Sequence, residues 1–273
     1  MSKQNLKLSK EKETLLVPLY CKAKEYEREN SIIKDKKAKD IINNIEYDFK
    51  KLDIPYKTCI TLNIRAQKID EYVNKFISDH KEVTVIHLGC GLDNRYGRID
   101  NENVNFYDLD FKKVIDIKKN FYQDTDNYHF ISSSVTDLNW LKQIDDNAKT
   151  IIVAEGLFMY IEEKQLKILF HELQKHFPGA HLIFDAYSTY TVKNIGKHAS
   201  IKKTQAEIKW GIDDPREIED WHRNISFVKE WFFTDYDKKE NLSTLFKFSF
   251  KAAGLFNMAK RAHRILYYKF KKS

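Results

Sequence analysis

The hydrophobic rhythm of the chain changes near residue 80. Before that point apolar positions step by three and four. Leu62, Ala66, Ile69, Val73, Phe76 and Ile77 form one stripe, which predicts a helix leading into the next element, and Ile32 to Ile45 predicts a shorter amphipathic helix before it. From residue 83 onward, short apolar runs alternate with helical stretches: Val83 to Leu88, Val104 to Tyr107, Tyr128 to Ser132, Thr150 to Ala154 and Ala180 to Phe184. Continuous apolar runs of this length are strands covered on both faces, so the pattern predicts a parallel sheet between helical layers. Leu166, Leu169, Phe170 and Leu173 share one face of the helix after the fourth run, and Pro178-Gly179 ends it. Ser226 to Phe233 and His263 to Phe270 add two strand-like runs around a helical stretch near Leu245 to Ala253. The predicted fold is α/β, a seven-stranded, mostly parallel, doubly wound sheet. Residues 1–80 read as an N-terminal helical cap region and 81–273 as the core, with a polar insertion or lid at about 188–225.

Composition agrees with one large folded unit: 273 residues, 42% apolar and 14% aromatic, can bury a substantial core. The net charge of +7 raises the possibility of nucleic acid, but most lysines are interleaved with acids, as in Lys34 to Lys39 and Lys112 to Lys119, which is the pattern of solvated helix faces. Only the tail, Lys260, Arg261, Arg264, Lys269, Lys271 and Lys272, concentrates positive charge. Cys21, Cys59 and Cys90 are odd in number and lack metal-ligand spacing, and Met1 to Thr14 has no apolar signal region, so a reduced, cytoplasmic protein is expected. No stretch reaches the roughly 18 apolar residues a membrane span requires, so membrane is not an expected partner.

Candidate chemistry begins at Gly89-Cys90-Gly91, directly after the first predicted strand. Closely spaced glycines let backbone N–H groups approach a ligand with no Cβ in the way. Tyr107-Asp108-Leu109-Asp110 follows at the spacing of roughly 20 residues at which a strand-end carboxylate reaches the ribose of a nucleoside held at that turn. A dinucleotide site would need a third glycine to free the helix N-terminus for a pyrophosphate, and Asn94 stands there. Asp93 beside the glycines would repel a diphosphate and welcome an amino group, which favours S-adenosylmethionine.

Several motifs in order resemble the leucine carboxyl methyltransferase family. They are Thr14-Leu15-Leu16-Val17-Pro18-Leu19-Tyr20, Asn63-Ile64-Arg65, Leu88 to Arg95, Tyr107 to Phe111 and Ala154-Glu155-Gly156-Leu157-Phe158-Met159-Tyr160. The nearer likeness is to its bacterial, tetracenomycin-type branch of polyketide O-methyltransferase-like proteins, over roughly residues 12 to 235. That resemblance implies a seven-stranded, S-adenosylmethionine-dependent, Rossmann-like fold with a helical cap and a lid. Carried over, Gly89 and Gly91 contact the cofactor, Asp110 holds the ribose with Asp108 as alternate, and Ser134 and Val135 line the adenine. Glu155 faces the sulfonium and amino end, Arg65 pairs with the cofactor carboxylate, and Lys12 is a second candidate for that role. The implied activity is O-methylation of a small molecule on a carboxylate or phenolic hydroxyl, with S-adenosylhomocysteine as product.

Plainer roles stand beside these. Whichever of Asp108 and Asp110 does not bind ribose is expected to cap a helix or serve a loop, and Cys90 to be a packing residue. Arg95 and Arg98 either hold an acceptor carboxylate or brace the glycine loop. Trp210, in Trp210-Gly211-Ile212-Asp213-Asp214-Pro215, either covers the acceptor or anchors its loop. No catalytic base is assigned; Tyr160 and Arg95 are the candidates for a catalytic part, and His171 and His176 sit on a helix nearby. Two other classes stay open: an RNA or protein methyltransferase using the basic tail, and a cofactor-binding protein without turnover. Glu155-Gly156-Leu157-Phe158 replaces the Asn/Asp-Pro-Pro-Tyr motif of base N-methylation, which argues against nucleic acid.

Overall fold

The computed structural model describes residues 13–145, 148–195 and 207–272. Lys12 and residues 196–206 of the predicted lid lie outside them. The N-terminal region holds α1 (Glu13–Tyr26), α2 (Lys36–Asn44) and α3 (Tyr56–Ser78). Asp35 caps α2 by accepting the Ala38 N–H. The predicted strands are all present, as β1 (Val83–Leu88), β2 (Val104–Asp110), β3 (Tyr128–Ser132), β4 (Lys149–Ala154), β5 (His181–Tyr187), β6 (Ile225–Phe232) and β7 (His263–Phe270). Between them run α4 (Lys112–Lys118), α5 (Glu163–His176), α6 (Thr189–Ile195), α7 (Thr244–Gly254) and α8 (Asn257–Arg261).

The strands form one sheet in the order β3-β2-β1-β4-β5-β7-β6. The first five are parallel, and β7 runs antiparallel between β5 and β6. Both faces are covered, as the unbroken apolar runs require. Ile86, Leu88, Ile152 and Ala154 pack with Leu166, Leu169 and Phe170 of α5 on one side, while Val85, Ile151 and Val153 pack with Ile69, Val73 and Phe76 of α3 on the other. β2 and β5 run past their predicted ends at Tyr107 and Phe184. The carboxylates Asp108, Asp110 and Asp185, which read as strand terminators, are held there by buried partners.

The expected state of the cysteines is corrected. Cys21 of α1 and Cys59 of α3 form a disulfide, with Cα atoms 4.8 Å apart and 38 residues between them in sequence, leaving Cys90 as the free thiol. The odd count and the spacing carried no sign that two helices bring these residues together. No described helix is long and apolar enough to cross a membrane.

Candidate functional site

Sheet register assembles the site. Leu88 of β1 lies opposite Leu109 of β2 and Ala154 of β4, and Ala154 lies opposite Phe184 of β5. The next residue on each strand therefore falls in one row along the carboxyl edge: Asp110, Gly89, Glu155 and Asp185. This row crosses the β1–β4 junction, where strand order reverses and crossover helices leave to opposite faces, the usual position of a ligand crevice in such sheets.

The glycine turn is cut to fit. Gly89 and Gly91 have φ of +63° and +53°, in the left-handed region that L side chains rarely occupy, and a Cβ on Gly89 would stand 2.8 Å from Leu157 Cδ1. Asp110 fixes the turn, because its Oδ2 accepts the Gly91 N–H at 2.8 Å and its Oδ1 accepts the Phe111 N–H at 2.7 Å. Burial raises the Asp110 pKa above its ordinary value even though these two amides favour the ionised form. Residues two apart on a strand share a face, so alternation does not separate Asp108 from Asp110. Depth separates them. Asp108 is 1% exposed and bound by His87 Nδ1 at 2.9 Å, the Tyr128 hydroxyl at 2.5 Å and Lys118 Nζ at 2.7 Å. It is neither a helix cap nor a loop carboxylate but the centre of a buried polar cluster.

A chain of ion pairs surrounds the row. Arg65 reaches from α3, donating from Nε to Glu155 at 3.0 Å and from Nη1 to Asp185 at 2.9 Å. Arg95 donates to Asp70 at 2.8 Å, to His87 Nε2 at 2.8 Å and to Glu155. Arg98 joins Asp70, Asp35 and Asp93, and Lys22 of α1 meets Asp93 at 3.0 Å. Burial alone would raise the Glu155 pKa, but Arg65, Lys22 and Arg95 override it and hold the carboxyl at about 2. Asp93 is held far below the carboxylate range by Arg98, Lys22 and Arg95 against the same burial. Each of these charges is buried beside an opposite one, the condition under which buried ions persist.

Around these groups lies a cavity of about 280 Å³, close to the lower end of the roughly 300–1,000 Å³ common for small-molecule sites. Its polar wall is Gly89, Cys90, Gly91, Asp93, Glu155, Arg65 and Lys22; its apolar wall is Leu15, Val17, Pro18 and Leu19 of α1 with Leu52, Ile54, Leu62 and Met159. Tyr160 and Tyr187 also line it, and burial raises both phenol pKa values. The cover over the cavity thus comes from α1, residues 51–54 and the first turn of α3.

Other residues named from sequence fall elsewhere. Arg95 and Arg98 brace the glycine loop; neither lines the cavity, and Arg95 is 1% exposed. Trp210 is 4% exposed among Phe184, Trp221 and the core, so it anchors its segment and does not cover an acceptor. Ser134 and Val135 sit beyond β3, where the Ser134 hydroxyl meets Thr136 and Val135 joins the core, outside the cavity wall. Cys90 is buried, and burial raises its thiol pKa, as suits a packing residue. His171 and His176 lie on α5 away from the cavity.

Sequence reasoning passed over Asp185, Lys22, Asp70 and His87. Asp185 follows Leu182-Ile183-Phe184 as Glu155 follows its own apolar run, so the same signal was present. Lys22 carried none.

A family model described as Leucine carboxyl methyltransferase matches residues 16–174. Tetracenomycin polyketide synthesis O-methyltransferase TcmP of Streptomyces glaucescens is 29% identical over 268 residues, covering 98% of this chain and 99% of that protein. An S-adenosyl-L-methionine-dependent methyltransferase of Gibberella zeae, dpfgK, is 24% identical over 285 residues, covering 96% of this chain and 95% of that one. Among solved structures, a SAM-dependent methyltransferase from Anabaena variabilis is similar in fold with a TM-score of 0.52 at 13% identity, over 76% of this chain and 84% of that chain.

Proposed function

The chain belongs to the leucine carboxyl methyltransferase family, and we propose that it transfers a methyl group from S-adenosylmethionine to the carboxylate of a small, largely apolar acid. That it is an S-adenosylmethionine-dependent O-methyltransferase follows from the family and its relatives; the carboxylate acceptor is our reading of the site.

One observation supports it. Among the described residues that line the cavity, every carboxylate and imidazole is already engaged: Asp93 by Arg98 and Lys22, Glu155 by Arg65 and Arg95, His87 by Asp108 and Arg95. Tyr160 and Tyr187 are held neutral by burial and can donate a hydrogen bond, but neither is poised to accept a proton. A phenol with a pKa near 10 would need a base at neutral pH, whereas a carboxylate with a pKa of about 4 is already a nucleophile.

The residues present fit the cofactor. Gly89 and Gly91 leave room for close backbone approach, and Asp110, buried and fixed by two amides just behind the cavity wall, ends β2 beside that turn, where ribose hydroxyls would sit. Arg65 has no partner for Nη2 among the described residues and would hold the carboxylate of the methionyl group, with Glu155 and Asp93 beside its amino group. When bound, S-adenosylmethionine supplies an electrophilic methyl group on sulfur. The protein's own work is then orientation: α1, residues 51–54 and the first turn of α3 exclude water, and alignment of reacting atoms at about 3 Å is worth roughly 7–11 kcal/mol of the barrier.

Calorimetry with S-adenosylhomocysteine, followed by methyl transfer to matched panels of apolar carboxylic acids and phenols, tests the reading. Ester formation on acids supports it. Turnover confined to phenols rejects the acceptor assignment.

A further inference from the structure

The basic C-terminal segment divides into two parts. From Asn241 onward the sequence contains Lys247, Lys251, Lys260, Arg261, Arg264, Lys269, Lys271 and Lys272 and no acidic residue. Lys269 lies at the far end of the eight-residue β7 and Lys271 and Lys272 just past it, and Arg264 is buried, donating to the Ile212 and Asp213 carbonyls. The exposed remainder is the α7–α8 hairpin.

Phe246 of α7 is buried against Ile60, Ile64 and Phe233, with Phe250 packed on the same cluster. The other side is bare. Phe248 is 67% exposed, Leu255 78%, Phe256 66% and Met258 61%. Single exposed apolar residues are ordinary, but a cluster this dense, the densest among the described residues, marks a contact surface. Lys247 and Lys251 flank it, exposed, with no ion-pair partner among the described residues. Lys260 and Arg261 are held instead by Asp235 and Glu230, each at 3.4 Å.

We propose that the α7–α8 hairpin docks peripherally on an anionic lipid bilayer, with Phe248, Leu255, Phe256 and Met258 entering the headgroup–acyl boundary and Lys247 and Lys251 meeting lipid phosphates. Large apolar side chains with cations at their margin and no acid between them are the composition that binds such an interface. Such contact needs no spanning helix. Charge selects this occupant over a second copy of the chain, because two-fold pairing of the hairpin would bring the Lys247 and Lys251 of both copies into one interface to which the hairpin contributes no acid. Phe246, on the packed side of α7, meets Tyr56 edge-on at 5.5 Å, and Tyr56 lies in sequence between Ile54 and Thr58 of the cavity wall, so the hairpin packs beside the segment that covers the cavity. Delivery of an apolar acid from the leaflet to the cavity rests on the acceptor reading; docking itself does not.

Flotation with phosphatidylcholine vesicles, with and without phosphatidylserine, tests the proposal. The protein is expected to float only with the anionic vesicles, and less as salt is added. Lys247→Gln with Lys251→Gln is expected to lower partitioning about 30-fold, and Phe248→Ser with Phe256→Ser about tenfold or more. Both variants should keep their melting temperature and S-adenosylhomocysteine binding, since the altered side chains are exposed and outside the cavity. Absence of flotation, or flotation unchanged in both variants, overturns the proposal. So does a dimer in sedimentation equilibrium that Phe248→Ser with Phe256→Ser dissociates, which would give the patch to a second copy. Wild-type protein that floats but binds no S-adenosylhomocysteine would refute the cofactor site and leave the docking surface standing.

Discussion

Asp110 holds the Gly91 amide at 2.8 Å, so the carboxylate that closes β2 also sets the backbone of the glycine turn on the neighbouring strand. The same side chain fixes the turn and, in the cofactor site we propose, would meet the ribose. Asp110→Asn keeps an acceptor for one amide and loses the charge, while Asp110→Ala loses both. A hydrogen bond to a charged group is worth about 1.5–3 kcal/mol. S-adenosylhomocysteine affinity should therefore fall about 10- to 100-fold in Asp110→Asn and further in Asp110→Ala, by calorimetry. Asp108→Ala should behave differently, losing about 3–5 kcal/mol of stability because the buried Lys118 loses its carboxylate and keeps only the Asp93 carbonyl. Normal binding by Asp110→Ala would remove Asp110 from the site.

Glu155 should shape the acid limb of the stability curve. Its pKa is lowered from 4.5 to about 2 in the folded chain, against burial, by Arg65, Lys22 and Arg95. The unfolded chain therefore takes up the proton first, and this stabilisation, complete above about 4.5, is lost as pH falls toward about 2. Glu155→Gln takes one of two carboxylate partners from Arg65, which keeps Asp185, and from Arg95, which keeps Asp70, and should cost about 1.5–3 kcal/mol at neutral pH. Its urea midpoints should also decline less than wild type across the acid window; parallel curves would show that the fold does not lower the Glu155 pKa.

His87 should act at higher pH. Burial first and Arg95 second lower its pKa from 6.5, opposed by Asp108. With Nδ1–H donated to Asp108 and Nε2 accepting from Arg95, the neutral ring is satisfied, and a second proton would face the Arg95 N–H. Below 6.5 the unfolded chain binds protons that the fold refuses, so stability falls as pH falls from there. His87→Gln retains a donor and an acceptor and removes the titration. Chemical denaturation between about pH 7.5 and 5 should show a shallower slope for the variant.

The Cys21–Cys59 pairing has a direct chemical check. Thiol titration of unreduced, denatured protein should find Cys90 alone. A bridge closing a 38-residue separation stabilises by about 4 kcal/mol in the chain-entropy picture. Reduction, or Cys21→Ser, should lower stability by up to that amount. Three free thiols in freshly isolated protein would restore the expectation drawn from the sequence.

The strands were legible because burial on both faces writes itself as unbroken apolar runs, and three of the seven, Val83–Leu88, Tyr128–Ser132 and His263–Phe270, both begin and end where the pattern placed them. Glu155 was legible as a charge ending such a run. Asp185 carried the same mark but reads as the start of a polar segment, because its partners, Arg65 and His263, lie 120 and 78 residues away. Trp210 left anchor and cover both open, since an aromatic in a polar segment looks alike in either role until its contacts with Phe184 and Trp221 are seen. Lys22 and the Cys21–Cys59 bridge depend on how α1 lies across α3. That packing leaves no periodic trace.

The acceptor reading sets a pH profile. If the acceptor is a carboxylate with a pKa of about 4, it stays ionised through neutrality, and kcat/KM should be flat between about pH 6 and 9. Glu155 and the two phenols beside it do not titrate in that window: Glu155 is ionised from about 2 upward, and the Tyr160 and Tyr187 phenols are pushed above their ordinary value of 10.0. Tyr160→Phe should then change kcat by no more than a few-fold and raise KM, because the lost hydroxyl orients the acceptor and moves no proton. A phenolic acceptor would behave otherwise. Its activity would climb about tenfold per pH unit toward the phenol's pKa, and removal of whichever side chain took the proton would reduce kcat by roughly 10²–10⁴. A rising limb in wild type that Tyr160→Phe abolishes would assign Tyr160 the role of base and replace the carboxylate with a hydroxyl acceptor.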